Sequence, residues 1–285
     1  MTGNEGQPVN PSTPPGDGSA GRGGGGWMDG AWLSLGTLSV LPARVPSTVD
    51  RLVGGRAMVL APAVGLVIGS VAAGAVALVQ VVRPDADLLA AVVAVLVVAG
   101  LSGALHLDGL ADFTDALGSR RDRETMLRIM KQSDIGPFGV VSIVGVLLLD
   151  VAALTTCIQA GFGWQAALIA TTASRLTLPW SCRITIQAAR PDGLGTVVAA
   201  TVRPLTAAAA TIVVLAAALA LTWLTTSPDL LRLCGTAAAV LLAVATALAT
   251  TRRAHTALGG TTGDVLGTAI ELALPVAFLT LALSA

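Results

Sequence analysis

The chain is 285 residues long, 54% hydrophobic and 12% charged, with seventeen acidic residues balancing seventeen basic ones. Soluble domains carry charge on about a quarter of their residues, so a mean hydropathy of +0.78 excludes an ordinary soluble bundle and points to an integral membrane protein. Zero formal charge, with no basic patch interleaved with aromatics, makes no case for a nucleic-acid partner.

Residues 1–30 open with MTGNEGQPVNPSTPPGDGSAGRGGGG. That stretch has almost nothing to bury and is expected to be disordered. It lacks the apolar core of a secretory signal. Residues 31–285 are expected to form one integral membrane catalytic domain. Its first stretch, AWLSLGTLSVLP (31–42), is too short to cross a bilayer, so it should lie at the interface or dip in and return. A spanning helix needs about 20 mostly apolar residues. Candidate spans follow at roughly 57–81, 87–105, 138–160, 164–182, 205–226, 230–250 and 266–284. The fold class expected is therefore all-α, a polytopic transmembrane bundle of about seven spanning helices.

The basic residues are unevenly shared among the connections. Arg44, Arg51 and Arg56 precede the first span, Arg120, Arg121, Arg123, Arg128 and Lys131 follow the second, Arg183, Arg190 and Arg203 the fourth, and Arg252 and Arg253 the sixth. The alternate connections hold Arg83 and Arg232. This asymmetry puts the first set in the cytoplasm and the C-terminus outside. Within the spans, Asp150 and Arg175 flank a short turn near Phe162 at similar distances. Antiparallel helices would bring them to one depth, where an ion pair is expected because a lone buried charge is costly.

HLDGLADFTDALGS (106–119) ends the second span. Asp108, Asp112 and Asp115 stand at helical spacing on one face, where three carboxylates repel one another. A cation relieves the repulsion, and carboxylates without clustered His or Cys suit Mg²⁺, or Mn²⁺, better than zinc. A solvated acidic loop that helps set topology is the plain alternative. A second acidic pair, Asp264 and Glu271, lies in LGGTTGDVLGTAIELAL (258–274), again on one helical face. Gly259, Gly260 and Gly263 precede it, where free backbone amides at a helix N-terminus can meet phosphate oxygens. Glu271 could equally be hydrogen-bonded to a neighbouring helix.

Arg120, Arg128 and Lys131 follow the acidic triplet, and Arg190 sits in ITIQAARPDGLG (184–195). Guanidinium and ammonium groups on that side suit a phosphate-bearing substrate, although topology alone also asks for them. Carboxylates, a hard divalent ion and a basic rim form the equipment of phosphoryl transfer. His106 is either a general base beside the metal or a helix cap. No G-x-S-x-G elbow accompanies the two histidines. Cys157, Cys182 and Cys234 are isolated, which argues against a zinc site or a disulfide framework.

HLDGLADFTDALGS, then RDRETMLRIMKQSDIGPFGV, ARPDGLG and GGTTGDVLGTAIEL, in that order, resemble the adenosylcobinamide-GDP ribazoletransferase family, also called cobalamin synthase. The resemblance covers residues 33–285. It implies a multi-pass, membrane-bound, Mg²⁺-dependent enzyme, and with the charge asymmetry the expected location is the plasma (inner) membrane with the site facing the cytoplasm. The substrates implied are adenosylcobinamide-GDP and α-ribazole, or its 5′-phosphate, and GMP is the leaving group. The site residues implied are Asp108, Asp112 and Asp115 with Asp264 and Glu271 on the metal, and His106 or Asp115 taking the hydroxyl proton. Whether the chain works alone, as a homo-oligomer or with other cobalamin-assembly enzymes stays open. The opening LSLGTLSVLPAR (33–44) is looser than the family's, so no substrate role is carried over to it.

Two other readings were weighed against this one. A CDP-alcohol phosphotransferase starts correctly at Asp108-Gly109, but Ala111 then falls one position early and Asp112 stands where Arg is due. A cation- or proton-coupled transporter could use Asp150 and Glu271, yet the acids gather at one face rather than at the midplane, with no inverted repeat.

Overall fold

A computed structural model describes residues 26–226 and 229–285. Among the described residues every regular element is a helix, and β-type pairing is confined to the isolated bridges Arg183–Val202 and Ala188–Thr261. The tail expected over 1–30 lies outside the described residues as far as residue 25, and the chain is helical from Trp27. Helix α1 (Trp27–Leu38) packs against α2 (Arg51–Val82) and does not cross. The rings of Trp27 and Trp32 lie under the guanidinium groups of Arg56 and Arg44, at 5.3 and 5.8 Å, the amphipathic pairing suited to a membrane–water boundary.

Five helices are long and apolar enough to span: α2, α6 (Pro137–Gln159), α10 (Pro204–Thr225), α11 (Leu230–Leu258) and α12 (Gly263–Ala282). A sixth crossing exists if α3 (Asp87–Leu101) and α4 (Leu105–Gly118), bent by 85°, are taken as one. The bend is made by Gly103 and Ala104, both left-handed at φ 61° and 54°. Glycine adopts that conformation freely, whereas alanine pays for it in Cβ crowding.

The expected crossing at 164–182 is broken into two short helices, α7 (Gly163–Arg175) and α8 (Thr177–Ser181), neither long enough to span alone. Pro179 has no amide hydrogen and its ring opposes the carbonyl of residue 175, which favours a break there, although α2 and α12 continue through Pro62 and Pro275. Both pieces are tucked into the bundle, and Arg175 is wholly buried. The connecting helices are α5 (Arg123–Ile129) and α9 (Leu194–Val198).

Small residues set the close approaches. A Cβ on Gly65 or Gly69 of α2 would lie 2.6 Å from Thr171 O or 3.1 Å from Leu168 Cα of α7, the small-xxx-small contact by which membrane helices pack without a hydrophobic driving force. α12 is the central helix. Some 72% of its apolar window is buried against 22% for α10, and it packs on α4, α6, α7, α8 and α11.

The Asp150–Arg175 ion pair does not form as expected. Both residues are buried, but no ion pair joins them among the described residues, and both Asp150 oxygens lack a hydrogen-bond partner, as do Arg175 Nε and Nη2. Arg175 Nη1 donates to Ser174 Oγ at 2.9 Å. The guanidinium lies in the field of Glu271 as well as Asp150, so its charge is shared between two carboxylates on different helices.

Candidate active site

The glycine in HLDGLAD explains how the two acidic segments meet. A Cβ on Gly109 of α4 would lie 2.9 Å from both Asp264 Cα and Asp264 O of α12. Thr268 Oγ1 donates to Gly109 O at 3.0 Å, and a Cβ on Gly267 would lie 3.1 Å from His106 Cα. The two backbones therefore run in direct contact where both carry their acids. α12 starts cleanly because the Thr262 hydroxyl accepts from Val265 N at 3.3 Å, after Gly259 has ended α11 in the left-handed conformation at φ 75°.

The acids then divide by role. Asp108 is exposed and Asp112 half-buried, and neither carboxylate has a hydrogen bond or ion pair among the described residues. Asp112 lies in the field of Asp108, Asp264, Asp115 and Arg190. Asp264 accepts from Arg190 Nη2 at 2.6 Å. Asp115 is engaged elsewhere: its two oxygens accept from Gly136 N and Gly139 N, at 2.7 and 2.9 Å, and so cap the start of α6. Glu271 sits deeper, with Oε1 3.8 Å from His106 Nδ1. That is too long for a hydrogen bond. His106 does not cap α4, and both ring nitrogens are buried without a partner.

A cavity of about 430 Å³ opens between these elements. Its walls include His106, Asp108, Lys131, Arg190, Thr262, Gly263 and Asp264. Lys131 donates to Asp192 Oδ2 at 2.7 Å across its rim, and that bond holds the exposed Asp192 carboxyl below the usual carboxylate range. Asp112, Asp115 and Glu271 are not wall residues, and neither are Arg120 and Arg128. Arg120 is exposed, and Arg128 reaches only Thr125 Oγ1, at 3.5 Å.

A family model, Cobalamin-5-phosphate synthase, matches residues 30–282. The chain belongs to this family. An adenosylcobinamide-GDP ribazoletransferase of Frankia casuarinae is 41% identical over 257 residues, 87% of this chain and 92% of its own length. Proteins of the same name from a Nocardioides species and from Corynebacterium efficiens are 36% and 32% identical, over 88% and 87% of this chain and 98% and 89% of their own. No solved structure matches the chain.

The region shared with the cobalamin-5-phosphate synthases takes in the whole cavity wall, from Thr37 to Ile270. Sequence reasoning missed part of that wall. Thr37, Leu38, Met58 and Leu178 line the cavity, although α1 had been assigned no substrate role, and apolar side chains in spans carry no signal that separates a wall from a core. Asp192 had a signal, two residues from Arg190 in a Gly-rich turn. Arg123 was noted only for topology, yet its Nε donates to Leu258 O at 2.6 Å and its Nη2 to Ala189 O at 2.9 Å, fastening α5 to the turns that carry Arg190 and Gly263.

The acids suit a hard divalent ion in part. Among the described residues no three His, Cys, Asp or Glu side chains are already drawn to one point at ligand spacing. Mg²⁺ rarely needs that: it is usually held by one or two carboxylates and completes its shell with water and substrate phosphate. Asp108 and Asp112, oxygen donors one helical turn apart with no protein partner, fit such a site.

Proposed function

We propose that the cavity between α4 and α12 is where this chain transfers the adenosylcobinamide phosphate group of adenosylcobinamide-GDP to the 3′-hydroxyl of α-ribazole, or of its 5′-phosphate. The products are GMP and adenosylcobalamin, or its 5′-phosphate, and the step completes the nucleotide loop of vitamin B12. The hydroxyl oxygen bonds the phosphorus that carries the cobinamide arm. The bond from that phosphorus to the bridging oxygen breaks, and the bridging oxygen departs with GMP.

The chain's own groups divide this work. Arg190 and Lys131 neutralise diphosphate charge, and the N-terminus of α12 at Gly263, which lines the same cavity, would favour the same anion. Asp264 fixes Arg190 through the 2.6 Å pair. His106 is assigned the hydroxyl proton, because it lines the cavity while Asp115 is taken up by the α6 amides. Magnesium, held by Asp108 and Asp112, would supply further neutralisation of the diphosphate.

We place the site at the cytoplasmic face of the plasma membrane. The support is the concentration of Arg and Lys in the connections on the site's side, against Arg83 and Arg232 on the other. The observation that carries the functional reading is the backbone contact of Gly109 with Asp264, which brings the two acidic segments to one cavity. Protein in nanodiscs, given adenosylcobinamide-GDP, α-ribazole and Mg²⁺, should release GMP in a 1:1 ratio with adenosylcobalamin. GMP without cobalamin, or neither product, would refute it.

A further inference from the structure

The cavity is not uniform, and its two ends differ in chemistry. Its outer end carries the exposed pair Lys131 and Asp192. Its inner end is made by Leu38, Met58, Leu178, Leu266 and Ile270, each at most 5% exposed and drawn from α1, α2, α8 and α12. The backbone of His106 packs on Gly267 of α12, which lies in sequence between Asp264 and Ile270. His106 is 3% exposed, and its imidazole is turned into the bundle, with Nδ1 3.8 Å from Glu271 Oε1.

Size limits what can enter. The cavity, about 430 Å³, falls near the low end of the roughly 300–1,000 Å³ typical of small-molecule sites. It has room for one nucleoside, and not for a corrin ring with its nucleotide arm. Both substrates bring a nucleoside, so the floor must choose between guanosine and ribazole. Guanine carries an amino group, a ring N–H and a carbonyl that the five apolar side chains could not satisfy, and stranded polar groups are penalised heavily in a dry pocket. Dimethylbenzimidazole is flat and apolar, with a single free ring nitrogen.

We infer that the inner, apolar end of the cavity is the binding site for the dimethylbenzimidazole base of α-ribazole, while the guanosine and corrin of the other substrate remain outside the rim. This inference rests on the proposed reaction for the identity of the nucleoside, but it makes a separate claim about where each substrate sits. It adds Leu38, Met58, Leu178, Leu266 and Ile270 as specificity-determining residues. It also gives a physical reason for an active site sunk into a membrane bundle: the apolar floor is built from helices that the bilayer already holds together.

The test uses the full chain in nanodiscs. Titrated without adenosylcobinamide-GDP, α-ribazole should bind, 5,6-dimethylbenzimidazole should displace it, and guanosine should not. Leu178→Ala should raise the KM for α-ribazole about tenfold, within the range a few methylenes are worth in an apolar pocket, and leave the KM for adenosylcobinamide-GDP within twofold. Met58→Ala, which removes a different wall, should repeat that pattern if Leu178→Ala does not fold. Displacement by guanosine, or a KM change falling on adenosylcobinamide-GDP, would overturn the assignment while leaving the reaction intact. Absence of GMP release from the wild type, with α-ribazole still bound and displaced by 5,6-dimethylbenzimidazole, would sink the reaction and leave the pocket.

Discussion

Adding one methyl group at Gly109 perturbs the contact on which the site depends. In Gly109→Ala the new Cβ would lie 2.9 Å from Asp264 Cα and Asp264 O. Both are backbone atoms and cannot rotate aside. Carbon atoms rest at about 3.5–4.0 Å, so α4 and α12 would have to part by roughly 0.6–1 Å. The Thr268 Oγ1 to Gly109 O bond, now 3.0 Å, would stretch with them. Overpacking of this kind costs about 1–3 kcal/mol, which a bundle with this much buried surface should survive. Catalysis should suffer more, because a misplacement of about 1 Å can cost on the order of 10²-fold. The expected result is kcat/KM for GMP release down by about 10²-fold, with a thermal midpoint lowered by only a few degrees. Gly100→Ala is the control, since a Cβ there meets nothing within 4 Å. Full activity in Gly109→Ala would refute the claim that this contact sets the site's geometry.

Three further outcomes follow from named contacts. Asp115→Ala strips the caps from Gly136 N and Gly139 N and should destabilise the fold by about 1–2 kcal/mol, seen as a lower thermal midpoint, with Asp115→Asn intermediate. Arg175→Met leaves Asp150 and Glu271 buried without a cation and should cost about 3–5 kcal/mol; adding Asp150→Leu should recover part of the lost midpoint. The Lys131 hydrogen bond lowers the Asp192 carboxyl, so in the folded state that group stays charged to lower pH than it would unfolded. The pair is then complete above the ordinary carboxylate value and lost only as pH falls through the lowered one. The KM for adenosylcobinamide-GDP should accordingly show no Asp192 titration between about pH 6 and 8, where only charge screening by added salt should weaken the pair.

What was legible in the sequence was set by the range of the interaction. Helical spacing put Asp108, Asp112 and Asp115 on one helix and Asp264 at the start of another, and both lie where expected. Apolar runs located α2, α6, α10, α11 and α12. Hydropathy marks the length of an apolar run and not its continuity, so the run at 164–182 gave no sign that it would be broken into α7 and α8. The engagement of Asp115 with α6 was hidden because its partners are backbone amides, which every residue but proline carries. Arg175 was expected to pair with Asp150 alone, since the sequence gives depth along a helix but not its rotation, and rotation is what brings Glu271 into the same field.

The central claim is that the unpartnered carboxylates of α4 and the N-terminus of α12 act together on the diphosphate. Single-turnover release of GMP by Asp112→Asn in nanodiscs tests it most directly, because the substitution keeps the side chain's shape and Asp112 holds no hydrogen bond among the described residues. The rate should fall by about 10²–10³-fold, the loss typical of removing one preorganised charge-stabilising group, with the thermal midpoint unchanged. A wild-type rate in this variant would contradict the account.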